Sequence, residues 1–326
     1  MPQPTRSDVH VNRPLTNIST AYLQSANDFI ADKVFPLVSV QKQSDLFFTY
    51  PKGEWFRSEV QKRSPSTESA GSGYTISQDS YRCETYAVHK DIDDDVIANA
   101  DGPLDIERDT TLFITQQMLL KKEQDFLASF MGTSIWGKDL VGNTSASVPG
   151  TSFEKWSRTT STPIDDINNA ALALTARTGF RANTLVLTPA VYLALKNNTQ
   201  ILDRIVYTQR GIVTTDIMAA MFDVERILVS YAVQNTAKEG ASADPTMDFI
   251  KNDGALLCYV NPTPSIMQPA AGYTFAWAGR YGASAYGSRM KRFREEKINS
   301  TRIEGEMSYV QKIVGSDLGT WFGTCV

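Results

Sequence analysis

The sequence predicts an α+β protein built on one very long helix, with an extended ribbon before it and a compact α/β unit after it. Three observations carry this. An aromatic, extended stretch over residues 41–92 turns at a Ser/Gly-rich tip. An unbroken helical pattern runs from residue 103 to residue 131. From residue 163 to residue 260, short helical periods alternate with apolar runs of strand length.

Residues 1–19 are polar, carry Pro2, Pro4 and Pro14, and show no sustained period, so an arm is expected. Tyr22, Leu23, Ala26, Phe29 and Ile30 recur at helical spacing and predict a short amphipathic helix that Pro36 ends. From Val38 to Val60 the β-favouring Phe47, Phe48, Thr49, Tyr50, Trp55 and Phe56 stand out. Residues 62–73 (KRSPSTESAGSG) form a polar tip, and residues 74–92 return extended, with Tyr74, Ile76, Tyr81, Tyr86 and Val88 among polar neighbours. At about 3.3 Å per residue, each arm of such a hairpin reaches roughly 50 Å. A two-stranded ribbon is marginal in water, and no other run of that length offers it a partner within the chain. Another copy is expected to cover it.

Asp101-Gly102-Pro103 opens the long helix, with proline suited to the first helical position and Asp105, Glu107 and Asp109 at the positive end of the dipole. Ile106, Phe113, Leu119, Leu120, Phe126, Leu127 and Phe130 carry its apolar stripe as far as Gly132. About 28 residues at 1.5 Å each make a rod of roughly 42 Å. Residues 136–160 are rich in Gly, Ser and Thr and predict a connection with short strand pieces. A helix over 163–177 closed by Gly179, helices over 189–196 and 215–222, and strands over 184–188, 226–231 and 255–260 make the α/β unit. Strands over 273–278, 288–297 and 301–314, and a last segment through Trp321 and Phe322, are expected to return to the long helix.

At 326 residues, and about 150 per domain, two compact units are expected. A hydrophobic share of 42% and a charged share of 21% allow a sizeable core. The 32 basic and 36 acidic residues leave a net charge of −4. Binding driven by phosphate neutralisation needs a basic surface, so any DNA contact should be weak and local. Cys83, Cys258 and Cys325 are too few and too scattered for a disulfide framework and suit a reducing compartment. No apolar run approaches the ~18 residues of a membrane span.

Catalytic signals are sparse. The only histidines are His10 and His89. Cys83 and His89 lie about 20 Å apart along one strand, too far for a nucleophile and its base. No GxSxG elbow occurs. Asp91-Ile92-Asp93-Asp94-Asp95 begins like a calcium loop, but Val96 and Gly102 stand where that loop needs glycine and glutamate. A solvated acidic turn is expected there, with a weak ion site between subunits as the alternative. Residues 282–287 have phosphate-loop glycine spacing without the lysine, and are expected as a tight β connection. The sequence assigns no catalytic, metal-binding or cofactor-binding residue.

Two sets of contact residues do emerge. Phe47, Phe48, Tyr50, Trp55, Phe56, Arg57, Tyr74, Ile76 and Tyr81 are expected at a subunit contact, because aromatics enrich interface cores. Stacking on single-stranded bases is the alternative, disfavoured by the acidic balance. Arg289, Lys291, Arg292 and Arg294, followed by Glu295 and Glu296, are expected to form ion pairs between strands or subunits, with an inner surface facing DNA as the alternative.

In its order of elements, and in the stretch DFIADKVFPLVSVQKQSDLFFTYPKGEWFR (28–57), the chain resembles the major capsid proteins of tailed double-stranded DNA phages, which have the Hong Kong 97-type fold. The resemblance implies an N-terminal arm over 1–40 and an extended loop over 41–92. It implies a peripheral domain over 93–162 and 261–326 carrying the spine helix 103–131, and an axial domain over 163–260. It further implies a structural protein without enzymatic activity or cofactor. Copies would form pentamers and hexamers that tile an icosahedral shell around packaged DNA, assembled in a bacterial cytoplasm away from any membrane. A scaffolding protein, a portal and a cement protein are the implied partners. The roughly 20 polar residues before the first helix are too few for a fused scaffold, so either a separate scaffold or a processed form of the chain is expected, and Met1 favours the separate scaffold. Some relatives cross-link a loop lysine to a neighbour's asparagine; Lys52 and Lys62 lie in the corresponding loop, and no cross-link is expected. The alternatives are an encapsulin-like compartment holding enzyme cargo, and an α/β enzyme using 163–260 as a ligand domain.

Overall fold

The computed structural model describes residues 24–100, 105–145, 147–205, 213–238, 240, 246–263, 268–280 and 287–326. The polar arm with His10, the residues Tyr22 and Leu23, the helix opening at Asp101-Gly102-Pro103 and the glycine-spaced stretch 282–286 lie outside the described residues.

Where an amphipathic helix is expected near the N-terminus, the chain makes a 3-10 turn (Ala26–Asp28) and then a single-turn helix α1 (Ala31–Val34). The helix breaks because the Ile30 and Ala31 N–H groups donate to the Glu123 carboxylate, not to a preceding turn. Strands β1 (Leu37–Val40) and β2 (Ser44–Thr49) follow, then the one-turn helix α2 (Lys52–Trp55) after Pro51. The chain then runs without a helix or strand to β3 (Ser77–Arg82). After Cys83 it resumes as β4 (Glu84–Asp93). The acidic turn is helix α3 (Asp94–Ala98), capped by Asp93 accepting from Asp95 N–H at 3.0 Å. The long helix α4 (Ile106–Phe130) has 25 residues, about 38 Å of rod. Asp105 caps it by accepting from Arg108 N–H at 3.1 Å.

Strands β5 (Asp139–Asn143) and β6 (Ser152–Glu154) precede α5 (Pro163–Thr178), which opens on proline and ends at Gly179 with a left-handed φ of 76°. Next come β7 (Thr184–Leu187), α6 (Pro189–Lys196) and α7 (Thr199–Ile205). Helix α7 is an addition to the expected elements; Asn198 accepts from Gln200 N–H at its start, and Ile201 and Ile205 bury its inner face. Helix α8 (Thr215–Phe222) and strands β8 (Arg226–Val229), β9 (Val233–Asn235), β10 (Met247–Phe249) and β11 (Ala255–Cys258) follow. The chain closes with β12 (Gly272–Trp277), β13 (Ser288–Glu295), β14 (Ser300–Ile313) and β15 (Gly319–Gly323).

Two larger sheets organise the described residues. One has five strands in the order β1-β12-β14-β13, with β4 also pairing β14. Helix α4 packs against β4 and β14, burying Ile114 with Ile92 and Ile303. The other sheet has six strands in the order β6-β5-β15-β11-β7-β8. Alternation sends Leu185, Leu187, Leu257 and Phe322 into a core with the helices α5–α8. Val186, Leu256 and Trp321 enter a second core with Phe35, Phe126, Leu127 and Met131. The end of the long helix therefore shares a core with the α/β sheet.

Two expectations change. The ribbon is shorter than 41–92, because β2 and β3 alone pair as a hairpin, with Ser44 opposite Arg82 and Thr49 opposite Ser77. Strand β4 has an intrachain partner after all, β14, which runs antiparallel to it with Ser300 opposite Asp93 and Tyr309 opposite Glu84. A polar alternation looks external in sequence, but here the complementary charges sit on the partner strand. The unit boundary moves as well: β5, β6 and β15 join the sheet of the 163–260 unit, since β15 is buried throughout and pairs with β11.

Candidate subunit interface

The ribbon's two faces have different fates. Period-2 alternation turns Phe47 and Tyr81 inward, where Tyr81 stacks on Phe275 with centroids 4.7 Å apart and Phe47 lies 5.7 Å from the same ring. Lys312 sits over Phe47 at 5.3 Å and pairs with Asp79 at 2.7 Å. Tyr81 is 8% exposed, so it anchors the ribbon to its own body and leaves the set of residues expected at a subunit contact. The opposite face presents Leu46 and Phe48, each 56% exposed. Leu46 is missing from the contact set expected from sequence, although the alternation Leu46-Phe47-Phe48 carries its signal.

At the far end the chain is clasped. Glu54 accepts from Thr75 N–H at 2.5 Å and from Thr75 Oγ1 at 2.9 Å, and these bonds hold its carboxyl below the usual range. Tyr50, Trp55 and Tyr74 form a ring cluster, with the Trp55 and Tyr74 centroids 5.3 Å apart. The cluster is open to solvent at Trp55 and Tyr74, and Ile76 is also exposed. Phe56 lies over Gly179, where a Cβ would stand 2.6 Å from the ring. Gly179 thus serves both the helix end and the ring's approach. Lys52 pairs with Asp317, so the ribbon leans toward the body and encloses a groove. Arg57 is largely exposed, 3.9 Å from Glu59.

Each of the four basic side chains of the cluster has a carboxylate partner within the chain. Arg289 (3.1 Å) and Lys291 both bond Glu306, and Lys291 also lies 3.6 Å from Glu304. Burial alone would raise Glu306, but hydrogen bonds from Lys291 and Arg289 bring its carboxyl down to about 2. Arg292 pairs with Glu107 of α4, and Arg294 holds Asp94 through bonds of 2.5 and 2.6 Å. Glu296 stands 3.6 Å from Arg294, and Glu295 lies opposite Ser300 in the strand pair. Asp91 is held by Arg302 at 2.6 and 2.9 Å. The acidic turn is therefore tied to the neighbouring strands by arginine forks.

Glu123 belongs to neither expected set, yet it joins three segments. Its side chain is fully buried. One oxygen accepts from Ile30 and Ala31 N–H, both at 2.9 Å, and the other accepts from Ser230 Oγ at 3.1 Å. Burial pushes its carboxyl up, against the pull of these donors. Cys83 is buried too, its thiol pushed up to about 11 by burial. Among the described residues, no group of three or more His, Cys, Asp or Glu is arranged to hold a metal ion.

No protein-family model matches the chain. It is similar to the major capsid protein of Burkholderia phage BcepMu, 25% identical over 331 residues that cover 95% of this chain and 94% of the relative. Its structure is similar to a phage-related protein from Bordetella bronchiseptica, with a TM-score of 0.69, 21% identity, and coverage of 93% of this chain and 94% of the other. It is also similar to the capsid of cyanophage P-SCSP1u, with a TM-score of 0.62, 13% identity, and coverage of 97% and 93%. The likeness runs from end to end in sequence and in structure: the chain has the Hong Kong 97-type fold and is similar over nearly its whole length to a phage major capsid protein.

Proposed function

We propose that copies of this chain assemble into pentamers and hexamers that close an icosahedral shell around double-stranded DNA. Assembly takes place in the cytoplasm of a bacterial host, on a separate scaffolding protein and around a portal, with a cement protein as a further partner. The observation that carries this is the ribbon. Leu46, Phe48, Trp55 and Phe56 are large apolar side chains that the chain's own body leaves at least half exposed. A surface of this kind on a soluble protein marks a protein contact. Repeated by symmetry, many modest contacts of this sort hold a shell together.

DNA contact is weak and non-specific on this account. Arg289, Lys291, Arg292 and Arg294 are already bonded to carboxylates of the same chain, and the net charge is −4. The curated relative is a phage shell protein, which favours a genome container over an enzyme-carrying compartment. Electron microscopy of the expressed chain, alone and with a candidate scaffold, tests the proposal. Closed particles are expected, and particles from phage-producing cells should protect DNA from nuclease. Monomers at every concentration and with every candidate scaffold would refute it.

A further inference from the structure

We propose that the far end of the ribbon is a clasp, latched onto the chain's own body by Lys52 on Asp317 and by Phe56 over Gly179, and that its opening admits the ribbon to assembly. The proposal rests on the shell function above and adds a control that acts within one chain. The ribbon has a rigid root, where Tyr81 stacks on Phe275 and Lys312 pairs with Asp79 at 2.7 Å. It also has a rigid end, where Glu54 accepts twice from Thr75 and the rings of Tyr50, Trp55 and Tyr74 meet. Only two rungs of the ladder join root to end, Phe48 opposite Gln78 and Thr49 opposite Ser77. A two-stranded ribbon is marginal in water, so this neck is where the ribbon bends.

The latch itself is light. Between root and end the ribbon stands off the body across a groove of about 840 Å3, so close packing does not fix its angle there. Lys52 and Asp317 are 47% and 42% exposed, and an ion pair this open favours the closed state by about fivefold at most. Phe56 keeps 67% of its surface exposed while its ring covers Gly179. The body's half of the latch is fixed, because Arg177 donates to the Asp317 carbonyl at 2.6 and 3.1 Å and Gly179 ends helix α5. The ribbon's half is the one that moves. Closure has a consequence for assembly: Leu46, Phe48, Trp55 and Phe56 all border the groove, so the closed ribbon holds its apolar side chains over its own body. Swinging the end outward on the neck turns them away from it.

Spin labels on Gly53→Cys and Leu172→Cys measure the clasp in the unassembled chain. A Cβ at Gly53 meets nothing within 4 Å, Leu172 is 70% exposed, and the native Cys83, Cys258 and Cys325 are buried away from the label. Two distances are expected, the longer one minor. Lys52→Glu turns attraction into repulsion and should raise the long-to-short ratio about fivefold, whereas Lys52→Arg should leave it unchanged. Added salt should raise the ratio in the unsubstituted chain and lower it in Lys52→Glu, because it screens both signs. A single distance, unmoved by Lys52→Glu or by salt, would overturn the clasp. For assembly, Lys52→Cys and Asp317→Cys are joined by a short bis-maleimide. The bridged chain should need about tenfold more protein to assemble than the same chain left unbridged. Equal requirements would overturn the gating role and leave the shell function standing. Absence of particles from the unmodified chain under every condition would overturn the shell function and the gating with it, and the distances would still decide the clasp.

Discussion

Replacing Glu123 with alanine is expected to lower folding stability by about 3–5 kcal/mol, while replacing it with glutamine should change stability by less than about 1 kcal/mol. Alanine strips the acceptor from two buried backbone N–H groups at Ile30 and Ala31 and from the Ser230 hydroxyl. Each donor left unpaired costs about 1–3 kcal/mol, and the vacated space adds a cavity term. Relief of a buried charge offsets part of this. Glutamine keeps an oxygen for the backbone donors and turns its amide toward Ser230, so all three bonds survive without the charge. Thermal unfolding of the two variants should differ by roughly 5–10 °C.

The same pair of variants carries a pH signature. Burial raises the folded-state pKa of Glu123, so the folded chain holds that proton more readily than the unfolded chain. Its contribution is therefore most favourable below the ordinary carboxylate value. It declines as pH rises from there through the raised folded value, and is level above it. The glutamine variant lacks this decline. Identical pH profiles for wild type and glutamine variant would show that Glu123 stays charged throughout.

The second large effect concerns assembly and leaves folding alone. A Leu46→Ser, Phe48→Ser double variant should keep its thermal midpoint, because both side chains are more than half exposed and surface substitutions shift stability by about 0.5 kcal/mol or less. If these side chains are anchors of a subunit contact, each loses about 2 kcal/mol of association, or roughly 30-fold per contact. Sedimentation should find the variant folded and unassembled where wild type forms particles. Wild-type assembly by the double variant would remove the outer ribbon face from the interface.

How much of the fold is legible in the sequence depends on whether the deciding signal is local. Helices α5, α6 and α8 announce themselves through Pro163 and Gly179, Pro189, and the Thr214 cap, each readable within a few residues. Strand β4 reads as half of a free ribbon because its partner β14 lies far downstream. Asp91 and Arg302, paired across the two strands, are 211 residues apart, and register over that distance leaves no mark in the sequence. The ribbon aromatics stand out as a group from composition alone. Their division into inward Phe47 and Tyr81 and outward Phe48 follows from the position of Phe275, which the local pattern does not contain. Glu123 does leave a trace: it falls on the stripe of Leu119, Leu120, Phe126 and Leu127, where a charged residue predicts a buried partner. The basic strand's partners are spread over α3, α4 and β14, so ion pairing is foreseeable but its closure within one chain is not.

Amide hydrogen exchange across the β2–β3 ribbon, compared between unassembled chain and closed particles, measures whether neighbouring copies supply what this hairpin lacks. Exchange there should slow at least tenfold in particles, while the core strands β7 and β11 are slow in both states. Equal ribbon rates in the two states would contradict the assignment of this surface to subunit contact.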